Sequence, residues 1–437
     1  MKTLHILGGG PAGLSTAYFA KEKNIPFHLY ESENKVGGNC KTLSFDDCKY
    51  DTGAHRFHSK NSIALETVKS LIGKDLAVVN APSKIFLNSK MINFPLDPKS
   101  FLTDFTFYEA IKILYENTYN MFSKSKNDQS FKDSAYRKYG KTVSDKFLIN
   151  YTEKLWGTSS SLLHKEVTGD RFNNLTPILI LKSIFNLQKS KVKHFEGDFL
   201  YPKKGYGQIF DEMLKIVKDS VRLDSKVESI HSKNNIIQKI ILSNGNAINT
   251  EFVISTLPLN FLIKTLKPNL PDKIIKMSDK LKFRNLRLAI FTLSCDYFSK
   301  NASLYFPEKN IPFTRIYEPK NRSISMAPKG KTCIVVETPY SVGDDIYNLN
   351  DDEFLKKIQE DLVKYNIVNK NLFLNSSSLI MTNAYPVITK ESKIYLESIN
   401  EHLGAFKNLK VVGRNACFKY LHTHHIIKDA YSKVNQL

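Results

Sequence analysis

The sequence is poor in sulfur, carries a single tryptophan and has no apolar run long enough to cross a bilayer, and each shortage excludes something. Its five cysteines, Cys40, Cys48, Cys295, Cys333 and Cys417, form no C-x-x-C pair and stand at no metal-like spacing from histidine. A disulfide framework is therefore not expected, and the thiols read as mostly inert groups of a reducing compartment. The first apolar stretch is too short for a secretory leader and no window approaches a membrane span, so a cytoplasmic protein is expected. Acids are also scarce, since 63 Lys and Arg outnumber 43 Asp and Glu to leave a formal net charge of +20. Such a surface attracts anions without choosing among nucleic acid, acidic lipid and phosphorylated small molecules. The one dense basic run, Lys189 to Lys193, lacks the interleaved aromatics of a nucleic-acid channel. Nucleic acid is thus not expected as a partner, and peripheral contact with a membrane surface stays open.

What the chain does have is concentrated at its start. Lys2 to Glu31 reads as a short apolar strand, a glycine turn, an amphipathic helix opening near Pro11 and Ala12, and a second strand, Phe27 to Tyr30, that closes on Glu31. Gly8, Gly10 and Gly13 stand at G-x-G-x-x-G spacing between strand and helix, the context that motif requires. Gly8 permits the tight turn, Gly10 admits a pyrophosphate against the backbone, and Gly13 lets helix and strand pack closely. The open amides and dipole of the helix start attract phosphate, and Glu31 sits where an acid accepts hydrogen bonds from a ribose. A bound dinucleotide is expected.

Further on, Gly37 and Gly38 make a second glycine turn that can pass beneath the cofactor, and Tyr50 to His58 reads as a short strand. Pro82 to Pro95 carries two alternating runs around Asn88-Ser89-Lys90, a hairpin signal. Phe101 to about Gln188 turns helical, Val192 to Gly207 is loop chemistry, and Gln208 to Val217 is an amphipathic helix. Strands follow over Arg222 to Ile254, Lys280 to Leu293 and Thr332 to Glu337, then a helix over Asp351 to Tyr365 and a short strand at Leu379 to Met381. Asn408 to Val412 is a buried-looking strand that Gly413-Arg414 ends, and a helix runs from about Ile426 to Val434. The fold class is α/β, with a discontinuous Rossmann-type domain (1–80, 205–260 and 395–437), an inserted helical domain (100–200) and a mixed-sheet substrate domain (81–99 and 261–394).

The N-terminal fingerprint, the glycine doublet and the C-terminal Gly-Arg strand end together resemble the FAD superfamily of amine oxidases, protoporphyrinogen oxidases and UDP-galactopyranose mutases. The resemblance favours FAD over NAD and places Gly8, Gly10, Pro11, Ala12, Gly13, Glu31, Gly37, Gly38, Asn39, Gly413, Arg414 and His422 around it. Val36 to Asn39 and Tyr50 to Asn61 look like the mutase pattern, which sets His55 and His58 near the flavin. Asn150 to Gly157 resembles the mutase helix whose tyrosine, here Tyr151, stacks on uracil and whose tryptophan, here Trp156, lines the sugar pocket. Arg171 and Arg315 match the two arginines that grip the diphosphate, a task suited to the planar guanidinium fork. Tyr420 matches a tyrosine that contacts phosphate.

The resemblance implies a nucleotide-diphosphate sugar substrate and ring isomerisation through reduced flavin N5, with His55, His58, Arg171 and Arg315 as catalytic residues. Two departures point elsewhere. His422-Thr423-His424-His425 stands where mutases carry acids, and Tyr201 to Gly205 and Ser255 to Leu259 look as much like the oxidase branch. The alternative is an FAD-dependent oxidoreductase of amine oxidase or protoporphyrinogen oxidase type. The three histidines have no complementary carboxylate or cysteine in the same run, so no metal is expected. The oligomeric state is not legible.

Overall fold

A computed structural model describes residues 2–58, 61–94, 105–122, 129–167 and 198–437. Leu4–Leu7 (β1) is buried at every position because it is the centre of a five-stranded parallel sheet covered on both faces. Helix Pro11–Glu22 (α1) follows, with proline at its first turn, where the fixed φ is already helical. The chain then returns as Phe27–Tyr30 (β2), paired with β1 in the register Leu7↔Tyr30. The sheet is completed by three distant strands, in the order Leu409–Val411, Phe252–Ser255, β1, β2, Val221–Arg222.

Two helices of the insertion matter for the site, Phe107–Phe122 (α2) and Asn150–Trp156 (α3). One turn of π-helix, Ser144–Ile149, leads directly into α3 and re-aims its side chains. Arg171 and the basic run Lys189 to Lys193 lie outside the described residues.

A mixed seven-stranded sheet includes Arg315–Tyr317 (β3) and Thr332–Tyr340 (β4), paired in the register Arg315↔Glu337. Its order is Phe373–Pro386, Phe283–Leu293, β4, β3, Ser303–Tyr305, Ser83–Leu87, Lys90–Phe94. The last two strands form the expected hairpin, turning through Asn88 and Ser89 at φ 51° and 60°, the left-handed pair of a type I′ turn. The chain ends in helix Thr423–Val434 (α4), which packs on α1 through Phe19 and Tyr431, whose rings meet edge-on at 5.2 Å.

Three readings of the sequence are corrected. Val192 to Gly207 is not wholly loop: Phe199–Pro202 is a strand paired with Leu76–Val79, held by the buried Phe199 and Tyr201. The strand expected over Tyr50 to His58 is Cys48–Asp51, after which Ala54 N donates to the Glu337 carboxylate instead of a neighbouring strand. Leu379 to Met381 is the middle of a 14-residue strand, Phe373–Pro386, whose first half is largely open to solvent and so lacks the apolar pattern that marks a strand.

Candidate functional site

Three glycine turns converge on the start of α1. Gly38 faces Gly10 so closely that a Cβ on Gly38 would lie 3.1 Å from the Gly10 Cα, and a Cβ on Gly13 would lie 1.8 Å from the Gly8 carbonyl oxygen. Gly413, at φ 102°, comes close enough that its Cβ would sit 2.6 Å from that of Ala12. No side chain caps α1 at Gly10, so the first amides of the helix are left to a ligand. At the end of β2 the Glu31 carboxylate is fixed by Gly9 N (2.6 Å), Glu33 N (2.9 Å) and Ser32 Oγ (3.0 Å). A side-chain-free cradle, an uncapped helix start and an immobilised acid together fit the ribose and pyrophosphate of a dinucleotide.

Beyond this cradle lies a cavity of about 240 Å³ that brings together Asn39, His55, His58, Tyr151, Arg315, Arg414, Tyr420 and His422. Trp156 is the exception. It is buried behind the wall, edge-on to Tyr385 at 5.6 Å and Tyr420 at 5.7 Å. The two positions are about 140° apart around α3, and on this helix the Tyr151 side faces the cavity while Trp156 packs against Tyr385 and Tyr420.

The histidine side is rigid. His55 Nε2 donates to the Asn39 carbonyl (2.9 Å), which leaves Nδ1 as an acceptor, and the ring stacks on Tyr206 at 5.0 Å. Burial, and after it the nearby Arg414, pushes its pKa down to about 3, so this imidazole is neutral in ordinary buffers. His422 caps α4, lies parallel to His424 at 5.7 Å, and with it meets His58 edge-on at 6.5 Å. Among the described residues no group of histidine, cysteine and acid is arranged to hold a metal ion. Arg414 is spent on carbonyls at three atoms, Nε and Nη2 to Leu421 O (2.9 and 2.6 Å) and Nη1 to Ala384 O (3.3 Å), and stacks over Tyr385 and Tyr420.

The arginine side depends on Glu337, which sequence reasoning passed over. Its buried carboxylate accepts from Arg315 Nε and Nη2, each at 2.8 Å, and from Ala54 N at 2.9 Å. One acid therefore joins the Arg315 guanidinium to the segment expected under the flavin. Burial opposes the Arg315 charge, but Glu337 outweighs it and raises that pKa well above its ordinary value. A signal was present, because an acid inside the apolar strand TCIVVETPY must have a partner when buried. Arg56 was missed as well. It lines the cavity and donates to Ser83 Oγ and Ser303 Oγ, both at 3.1 Å. Asp51, also buried, ties the floor together by accepting from Tyr201 (2.5 Å), Thr42 (2.7 Å) and Tyr206 N (2.9 Å).

Residues 11–377 match the family of flavin containing amine oxidoreductases. Protoporphyrinogen oxidase of Dictyostelium discoideum is 25% identical over 346 residues, 64% of each chain. The dTDP-fucopyranose mutase of Escherichia coli is 26% identical over 242 residues, 52% of this chain and 58% of that one. The alignments thus span less than two thirds of these relatives. The crystal structure of reduced UDP-galactopyranose mutase superimposes with a TM-score of 0.87 at 18% identity, covering 100% of this chain and 93% of that one, which shows a shared fold. The chain belongs to the flavin containing amine oxidoreductase family, and is a flavoenzyme with FAD as its cofactor.

Proposed function

We propose that the protein is an FAD-dependent mutase that isomerises the sugar ring of a nucleotide-diphosphate sugar. One observation carries the reading: among the described residues the cavity is lined by three guanidiniums, Arg56, Arg315 and Arg414, and by no aspartate or glutamate. An amine substrate would meet three fixed cations and no carboxylate on the cavity wall, whereas a diphosphate would meet Arg315, of which Glu337 occupies only one edge, within a positive field that Arg56 and Arg414 extend. FAD, which the glycine cradle and Glu31 would hold, would in its reduced form supply the electron pair for substitution at the anomeric carbon. Arg315, held by Glu337 along one edge of its fork, grips the departing diphosphate and offsets its charge, with Arg171 as the second grip. Tyr151 stacks on the base, Tyr420 lies against phosphate, and Asn39, His55 and His58 flank the flavin. His55 Nδ1 can accept a hydrogen bond from a sugar hydroxyl or its water, and the ring stays neutral as it does so. The mutase relative and the mutase-like fold support this reading.

A second reading has its own observation. Ile85, Phe94, Phe147, Leu148, Leu286 and Met381 give the cavity a broad apolar wall, which suits a large hydrophobic substrate oxidised by FAD, and the protoporphyrinogen oxidase relative supports this reading. The test is to reduce the purified holoenzyme with dithionite without oxygen, supply a panel of UDP- and dTDP-sugars, and separate the products. A ring isomer formed only by reduced enzyme supports the mutase. Failure of every nucleotide sugar to bind or react, with a porphyrinogen bleaching the oxidised flavin, would replace it with the oxidase.

A further inference from the structure

The most exposed apolar surface among the described residues is one face of α2. Phe107, Tyr108, Tyr115, Tyr119 and Phe122 are 83%, 74%, 69%, 63% and 82% exposed, and Ile111 and Leu114 lie among them. A monomeric protein rarely leaves so many large side chains contiguous in water. The charges of the helix are sorted as well. Glu109 turns inward to Lys146 (3.0 Å), and Glu116 turns inward to Thr142 N (2.8 Å) and Oγ1 (2.9 Å). The outward face therefore carries aromatic and aliphatic side chains, Thr118 with its hydroxyl turned to the Leu114 carbonyl, and a single charge, Lys112.

The geometry points to α2 as a docking face for an anionic lipid surface. Tyrosine and phenylalanine suit the headgroup boundary, where a ring can be half apolar and half wet, and an exposed lysine can reach a lipid phosphate. Acids, which such a surface would repel, are the side chains that α2 has turned away. The net charge of +20 attracts anionic lipid and opposes pairing of two copies of this chain, which makes the bilayer the better occupant. The face is also coupled to the cavity. Lys146, the partner of Glu109, immediately precedes the cavity-lining Phe147 and Leu148, so docking would hold one wall of the site at the membrane surface. This inference does not depend on which reaction the enzyme performs.

The experiment is co-sedimentation of the holoenzyme with vesicles of phosphatidylcholine alone and of equimolar phosphatidylcholine and phosphatidylglycerol, with oligomeric state followed by light scattering. Wild type is expected to pellet with the anionic vesicles and far less with the neutral ones. Ile111→Glu/Tyr115→Glu should lose binding by more than tenfold while keeping its flavin absorbance. Lys112→Glu, which leaves the apolar face and both inward acids in place, should weaken binding about fivefold for each unit of charge removed. No pelleting with either vesicle, or binding that both variants leave unchanged, overturns the inference. A wild-type dimer that the double variant converts to monomer, without vesicle binding, assigns the face to a second copy and overturns it too.

Discussion

Two carboxylates, Glu31 and Glu337, organise the two ends of the ligand site, and they are built in opposite ways. Glu31 is held by neutral donors from its own βαβ unit, Gly9 N, Ser32 Oγ and Glu33 N. Glu337 is held by a guanidinium on the adjacent strand and by an amide 283 residues away. The Glu31 end is therefore built from backbone and the absence of side chains, and the Glu337 end, the substrate end on the proposed reading, from buried charge. Changes that add bulk should damage the first, and changes that remove charge should damage the second.

The largest effect is expected where charge is buried. Glu337→Ala leaves Arg315 without its counter-ion and Ala54 N without an acceptor, and should cost about 3–5 kcal/mol of stability, read by chemical denaturation of the holoenzyme. A variant as stable as wild type would mean that the ion pair does not hold the substrate end together. Gly13→Ala comes next. It adds only a methyl, yet that methyl falls 1.8 Å from the Gly8 carbonyl, so about 1–3 kcal/mol should be lost and the protein should purify with little FAD. Full flavin occupancy in Gly13→Ala would remove the close strand-to-helix approach as the basis of the cradle. Arg315→Lys is milder, since it keeps the charge and loses the fork. On the nucleotide-sugar reading it should weaken UDP binding about tenfold by calorimetry with FAD content unchanged. Equal affinity for UDP in the two proteins would show that this arginine does not touch the diphosphate.

The same contrast explains what could be read from the sequence. The nucleotide end was legible because its determinants are local: Gly8, Gly10, Gly13 and Glu31 lie within one strand-helix-strand unit, and the turn itself dictates glycine. The eight expected residues that share the cavity wall were named through family resemblance and not through spacing, since Asn39, Tyr151, Arg315 and Tyr420 come from distant segments, and their roles rest on the proposed reading. Glu337 and Arg56 escaped because their meaning lies in partners that only the fold brings near. Trp156, expected on the wall, lies behind it, packed on Tyr385 and Tyr420. The strand Phe199–Pro202 was read as loop because Pro202, Lys203, Lys204 and Gly205 carry turn chemistry, while the burial of Phe199 and Tyr201 is set by a strand more than a hundred residues away.

The smallest effect compares two histidines on either side of the same design. His5 lies on β1, with Nδ1 3.2 Å from the Tyr30 hydroxyl, and burial followed by the proximity of His28 pushes its pKa down to about 4. His55, at the cavity, is pushed down to about 3. Both are neutral in the folded chain, while in the unfolded chain each takes up a proton near pH 6.5. Above that pH neither affects stability. As the pH falls below it the unfolded state binds the extra protons, so stability should decline by about 1.4 kcal/mol per pH unit for each histidine. Between pH 6.5 and 5, before most carboxylates titrate, denaturation of His5→Asn and of His55→Asn should each show a slope shallower than wild type by one proton. Only His55→Asn should also alter the flavin absorbance, because only His55 lines the cavity. Wild-type slopes in both variants would mean that these imidazoles are charged in the fold, and that neither the Tyr30 contact nor the Asn39 carbonyl holds a neutral ring.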